Sequence, residues 1–517
     1  MEASDKGTLD VERYDLEPDR PIMHGWLQHL NIDLDVLKNL KTNAEKLPYI
    51  LPIAGLETLS PRMKASMIEM QVTLTTWPQL ATAVTLGGAV TADTCRRIFL
   101  NQYTGSGRYF IDMETLVPDE RPKKYFEPEL SAEITEVEMN EISGKALQKL
   151  GTPGFASGAD QLKDLVGAAI KAPSAGNSQP WKWYYREGYL FQFYSDTGIV
   201  SFGDFELMAS YIAHGAAIEN LELEAYRIGI KTEVHLFPLE NEKKLVAAIE
   251  FKGERNDELY HPGELVKYIH ARVTNRNAGS GKVIKEDIIH ALTEAVKSVP
   301  GADLVIKSDP QEIAQLANIV GPAERLKLLN PASHYEFYKK EMRWDEDSAS
   351  SDGISVKALG ISHPEEIALK MVKDPQSMKL LSEWEGGQAL EYTSRKGITS
   401  ASAFGLITMP VFSSVNNILG GKAMERMWLM AAKNNISIQP MMTPILYFAR
   451  MNKDGGKGMP DFMKKELEIL YDRFCKLFLD TKNRENVFLF TLNIAETLSV
   501  RSPRKPIEQF FFSSDGK

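Results

Sequence analysis

Two stretches far apart in the chain, GAAIENLELEAYRIGI at 215–230 and GKAMERMWLMAAKNNI at 421–436, carry Gly, Ala, Glu and Leu at the same offsets. Each has the spacing of an amphipathic helix and ends on Gly or Asn, residues suited to a left-handed C-cap. Each then runs into a β-like stretch that reaches a proline, KTEVHLFP in one case and SIQP in the other. A helix-then-strand unit used twice predicts an internal duplication, with the two copies burying one shared apolar face.

At 517 residues the chain is long enough for more than one domain, and 43% hydrophobic with 25% charged residues is the balance of a globular protein. A net charge of -10 without a long basic run argues against nucleic acid or an anionic membrane as the main partner. The two cysteines, Cys95 and Cys475, form no CxxC pair, so disulfide scaffolding and structural zinc are disfavoured and no metal is expected. The start, MEASDKGTLD, lacks a basic-then-apolar leader, and no apolar run reaches membrane-spanning length. The expectation is a cytoplasmic protein.

Composition divides the chain. Residues 1–125 combine helical spacing in SPRMKASMIEMQVTLTTWPQLATAVTLGGAV with a turn and extended segment in GSGRYFIDMETL, which predicts a compact α/β piece. Residues 126–154 are acid-rich and then rich in Gly, Ser and Pro, the composition of a connection. The duplicated body follows over 155–517, with halves of about 155–262 and 263–517.

Two further patterns carry candidate chemistry. KAPSAGNSQPWKWYY (171–185) is a tight turn set directly before an aromatic strand. Pro173 and Pro180 fix φ at its two ends, Gly176 permits unusual backbone, and Ser174, Asn177 and Gln179 bring donors and acceptors that a plain connection does not need. Such a stretch suits a planar polar ligand. In YIHARVTNRNAG, Arg272, Thr274 and Arg276 alternate about Val273 and Asn275, so in an extended segment two guanidiniums and a hydroxyl share one face. That face is either an anion site or a solvated basic surface. Between the halves, NPASHYEFYKKEMRWDEDSASSDGI places Tyr335, Phe337 and Trp344 in a long excursion that reads as a lid or as a surface loop anchored to the core.

Together these segments resemble the nitroreductase superfamily of FMN-binding proteins. The matching residues are Arg272, Thr274 and Arg276; Pro173, Ser174, Asn177, Gln179, Pro180 and Trp181; Gly215, Ala217, Asn220 and Leu221; and Arg501, Ser502 and Arg504. The resemblance covers about 155–517. It implies an α/β (α+β) architecture, a duplicated three-layer fold in which the two halves form a pseudo-dimer behind a smaller N-terminal α/β domain. It also implies FMN held by Pro173, Ser174, Ala175, Asn177 and Gln179 from the first half and by Arg272, Val273, Thr274, Arg276, Arg501 and Arg504 from the second. Backbone N–H groups of Met441 and Met442 stand where the family places donors to the flavin. Because the first half keeps the turn and the second keeps the basic motif, one flavin site per chain is expected.

The resemblance further implies an oxidoreductase that takes hydride from NAD(P)H and reduces a nitroaromatic, quinone-like or activated alkene acceptor. No side-chain catalytic constellation is evident, and flavin chemistry requires none. A non-catalytic FMN-binding or storage protein is the alternative. Residues 10–117, with LEPDRPIMHG, LSPRMKASMIEM, TWPQLATAVTLGGAV and SGRYFIDME, resemble the C-terminal part of E1-like, ThiF-family adenylating proteins. They lack that family's Gly-rich loop and CxxC pair, so adenylation by this chain alone is not expected. The resemblance leaves a docking role, as a homodimer surface or as an interaction subunit of an adenylating assembly.

Overall fold

The computed structural model describes residues 2–3, 5–25, 38–41, 46, 49–50, 55–70, 72–76, 78–118, 120, 125–151, 153, 155, 157–195, 198–254, 263–344, 350–496 and 500–514. These form a mixed α/β protein of two compact units, Met1–Phe126 with Ile361–Glu391, and Glu127–Gly360 with Tyr392–Lys517.

In the smaller unit, strand Gly7–Val11 pairs antiparallel with Gly107–Ile111, and helix Ala81–Phe99 packs on this ribbon. Contact is close because Gly7 has no side chain; a Cβ there would stand 3.2 Å from the Gly87 amide nitrogen. Ser60 caps helix Pro61–Ile68 by accepting from the Met63 N–H at 3.1 Å, a contact typical of a serine N-cap. The returning segment joins this helix through the Ser377 hydroxyl, which donates to the Pro61 carbonyl at 2.9 Å, and through the Lys64–Asp374 ion pair at 3.1 Å. Gly105-Ser106-Gly107 leads into a strand rather than a helix, so its amides do not form a phosphate cradle of the strand-turn-helix kind.

The larger unit contains two sheets of one design. The first is built from β1 (Trp181–Arg186), β2 (Tyr189–Tyr194), β3 (Ile230–Leu236) and β4 (Leu245–Glu254), antiparallel in the order β1-β2-β4-β3. The second is built from β5 (Asp303–Lys307), β6 (Ala403–Met409), β7 (Ser437–Pro440) and β8 (Glu485–Asn493), antiparallel in the order β5-β6-β8-β7. In each sheet a long helix joins the second strand to the third: α1 (Met208–Arg227) and α2 (Ser414–Lys433). A last strand, β9 (Phe511–Ser513), returns from the C-terminus and adds in parallel to the β1 edge. The Trp183 amide also donates to the Phe510 carbonyl at 2.7 Å.

The two central helices cross reciprocally. A Cβ on Gly215 would lie 1.9 Å from the Ile418 carbonyl oxygen, and one on Gly421 would lie 2.0 Å from the Ile212 carbonyl oxygen. Only glycine at both positions lets the backbones approach this closely. Both helices end as their residues suggest, with Gly229 at φ 77° and Asn435 at φ 56°. One apolar core runs through both sheets and both helices, including Trp183, Tyr211, Phe404 and Met427. Full burial of each such large side chain contributes about 1.5–3 kcal/mol, so neither half owns its core alone.

Candidate functional site

The 171–179 turn leaves helix Ala159–Ala169 and ends at β1. Gly176, Asn177 and Gln179 all have left-handed backbone, at φ 56°, 54° and 55°. Gly and Asn accept this readily, whereas Gln179 is strained and is held by its side chain. Its Nε2 donates to the Ser351 carbonyl at 3.1 Å and to the Asn177 carbonyl at 3.2 Å, while Oε1 accepts from the Lys505 N–H at 3.0 Å. Asn177 is buried, and its Nδ2 donates to the carbonyls of Gly353 at 3.0 Å and Pro503 at 2.9 Å. The Ser174 hydroxyl accepts from the Gln179 N–H at 3.0 Å. Pro173 is half-buried at the start of the turn, and Ala175 is exposed on it.

Residues from the second half and the C-terminus meet this turn. Arg504 Nη1 donates to Asn177 Oδ1 at 2.6 Å and Nη2 to the Ala172 carbonyl at 3.2 Å. Arg272 Nη2 donates to the Lys171 carbonyl at 2.7 Å, and its guanidinium lies 4.9 Å above the Trp428 ring. Arg272 Nε stands 3.1 Å from Glu425 Oε1, an ionic contact whose N–H is not aligned for a directed hydrogen bond. Glu425 is fully buried on α2, and burial pushes its carboxyl up to about 7 despite the opposing charge of Arg272. Burial likewise brings Arg504 down to about 10, with the Arg272 charge acting in the same direction. Arg501 is exposed and donates to the His270 carbonyl at 2.6 Å, so it fastens the C-terminal segment 500–514, a strap leading to β9, to the 270–271 backbone.

The basic run is extended, as its alternation requires. Thr274 bridges in parallel to Ile438 beside β7, and Asn275 turns the other way: its Nδ2 donates to Ser437 Oγ at 3.0 Å and to the Glu496 carbonyl at 2.9 Å. Val273 is half-buried between these contacts. Arg272 and Arg276 face different carboxylates. Arg276 makes no hydrogen bond among the described residues; burial lowers it to about 10, and the charge of Glu341 partly offsets this. Of the two methionine amides, that of Met441 already donates to the Leu489 carbonyl at 2.8 Å. The Met442 amide precedes helix Thr443–Asp454 and has no backbone partner among the described residues.

Several charged residues here carry no sequence signal beyond their type. The Arg426 guanidinium donates in fork fashion to the fully buried Glu219, at 2.7 and 2.9 Å, and to Ser298 Oγ at 2.8 Å. Lys422 pairs with Glu222 across the same helix crossing. Glu219 and Glu425 occupy the same offset in the two similar stretches, which is the one clue that could have singled them out. In the excursion, Trp344 is buried and its indole N–H donates to the Tyr338 carbonyl at 3.2 Å, while Tyr335 packs edge-on against Tyr338. Residues 345–349 of that excursion lie outside the described residues.

No protein-family model matches the chain. The uncharacterized protein MT1398 of Mycobacterium tuberculosis (strain CDC 1551 / Oshkosh) is 30% identical over 511 residues, which is 98% of this chain and 67% of that protein. The chain belongs to its family. Among solved structures, an FMN-bound nitroreductase from Desulfitobacterium hafniense DCB-2 matches with 13% identity over 48% of this chain and 95% of its own, at a TM-score of 0.27. The FMN-dependent nitroreductase NfnB from Mycobacterium smegmatis, in complex with NADPH, matches with 14% identity over 48% and 96%, at 0.27. Oxidized iodotyrosine deiodinase bound to FMN and 3-iodo-L-tyrosine matches with 14% identity over 47% and 95%, at 0.26. These structural neighbours are nitroreductase-type FMN proteins, each matched over about half of the chain. Among the described residues, no helix is long and apolar enough to cross a membrane.

Proposed function

We propose that the chain is an FMN-dependent oxidoreductase of nitroreductase type, a fused pseudo-dimer with one flavin site, acting between NAD(P)H and a nitroaromatic, quinone-like or activated alkene acceptor. The observation that carries this reading is the meeting of the first-half turn with Arg272 of the second half and Arg504 of the C-terminal strap. The residues fit an anionic, planar ligand. Arg276 is a half-buried cation without a hydrogen bond among the described residues, and the buried Nε of Arg504 has no partner there. Partly or wholly buried cations of this kind are stabilised by an anion that accepts their N–H groups.

In this reading Arg276, Thr274 and the free edge of Arg504 bind the phosphate, and the 173–179 turn orients the ring system. The Met442 N–H is the backbone donor that remains on the β7 side. FMN, when bound, supplies hydride transfer, and the protein's part is to bind, orient and shield it. The repeated sheet order and the reciprocal glycine crossing support treating the body as a duplication. A second reading, FMN binding without turnover, is favoured by the hydrogen bonds that Asn177 and Gln179 already make to Gly353 and Ser351. Anaerobic addition of NADH or NADPH to the flavin-loaded protein separates the two. Loss of the oxidised-flavin absorption supports the oxidoreductase, and an unchanged spectrum supports binding alone.

A further inference from the structure

The turn needed for the proposed flavin site is held from its inner side by the chain itself. Asn177 and Gln179 donate to the carbonyls of Gly353 and Ser351. Glu341 packs on the neighbouring Gly176, where a Cβ would lie 2.9 Å from Glu341 Cγ and 3.6 Å from Glu341 Cα. No larger residue fits at 176 while Glu341 keeps its position. The Glu341 carboxylate is anchored in turn, since Lys327 Nζ donates to its Oε2 at 2.7 Å. Glu341 ends the Phe337–Glu341 turn, and this segment is fixed by Glu336, whose carboxylate accepts from Ser201 Oγ at 3.0 Å and from the Phe202 and Gly203 amides. Ala175, Gly176 and Ser178 on one side, with Glu336, Lys340 and Glu341 on the other, line a pocket of about 60 Å³.

We propose that Glu341 is an internal competitor for the anionic group of the cofactor: its side chain, packed on Gly176 through its stem and held by Lys327 through its carboxylate, must give way before a phosphate-bearing ligand settles at the turn. The inference rests on the flavin reading above. Two facts about charge agree with it. Burial alone would lower Lys327, yet the charges of Glu341 and Glu324 raise it, so Lys327 is a strong cation already assigned to Glu341. Glu341 is also the charge that offsets the burial of Arg276. A ligand phosphate approaching Arg276 and Lys327 therefore meets a carboxylate that is bonded to Lys327 and whose charge already acts on Arg276. The consequence is a site whose affinity for phosphorylated flavin is set by the position of Glu341.

The test compares wild-type full-length protein with Glu341→Gln, titrated with FMN and with riboflavin, which lacks the phosphate. Removing the resident charge should tighten FMN by about tenfold or more, the worth of one charge-assisted hydrogen bond, and should leave riboflavin nearly unchanged. Unchanged or weaker FMN binding, or an equal gain for both flavins, overturns the proposal. If neither protein binds either flavin, the flavin reading falls and inorganic phosphate decides the matter. A rise in unfolding temperature with phosphate over chloride at equal ionic strength, in the variant alone, upholds the role of Glu341, and equal responses overturn it. Should the single variant fail to fold because Lys327 is left buried without its partner, the Lys327→Gln/Glu341→Gln double variant removes the pair together and is judged by the same outcomes.

Discussion

Glu425→Gln tests the electrostatics of the node where the two halves meet. Burial holds the Glu425 carboxyl at about 7, against an ordinary value of 4.5. Between those values the folded protein keeps a proton on this group that the unfolded chain has lost. Stability from Glu425 is therefore greatest at acid pH and falls as pH rises through the window. At 1.36 kcal/mol per pH unit, a gap of roughly 2.5 units amounts to about 3 kcal/mol. Glutamine cannot titrate, so the stability of Glu425→Gln minus that of wild type should rise by about 3 kcal/mol from below pH 4.5 to above pH 7. The difference is the quantity to follow, because His214, driven down to about 3 by burial, has the opposite slope in both proteins. Denaturant unfolding of the two proteins across that pH range gives the difference directly. A flat difference would refute the buried, poorly compensated carboxylate.

Other substitutions probe the frame around that node. Gly421→Ala drives a Cβ into the Ile212 carbonyl at 2.0 Å, a backbone collision that no rotamer relieves, and should cost about 3 kcal/mol or more; an unchanged unfolding temperature would contradict the helix crossing. Asn177→Gly keeps the left-handed backbone and removes the bonds to Gly353, Pro503 and Arg504, so it should cost about 2–4 kcal/mol. Its local sign is faster amide exchange along 503–513, and unaltered protection there would show that Asn177 does not hold the strap. Arg272→Ala leaves Glu425 buried without its cation and should destabilise by about 3–5 kcal/mol. Adding Glu425→Gln to Arg272→Ala should recover much of that loss, and no recovery would separate the two residues energetically.

What the sequence discloses follows from how local each determinant is. The repeated helix and strand are legible because the crossing demands small residues at fixed places, and Gly215 and Gly421 are the residues that touch the opposite backbone. The 171–179 turn is legible because left-handed backbone selects Gly and Asn, as at Gly176 and Asn177. The fate of hydrogen bonds is not local. Met441 looks like a free backbone donor until the register of β7 on β8 assigns its amide to Leu489. Arg272 reads as a phosphate ligand, and nothing local tells that the fold also sets it against a carboxylate more than a hundred residues away. Glu425, Glu219 and Arg426 sit on helices and look like polar-face residues, because nothing in one helix tells that its neighbour buries that face. Residues 361–391 join the smaller unit for the same reason: helix Pro375–Glu383 is recognisable, but its packing partner, Pro61–Ile68, is distant in sequence.

The most direct test of a single flavin site spanning the two halves is the amount and identity of flavin released per chain from the protein purified and reconstituted with flavin. One noncovalent FMN per chain is the outcome predicted from the way Arg272 and Arg504 reach the single 171–179 turn. Two FMN per chain would show that each half builds its own site, FAD would contradict the phosphate assignment, and no retained flavin would contradict the function proposed for this fold.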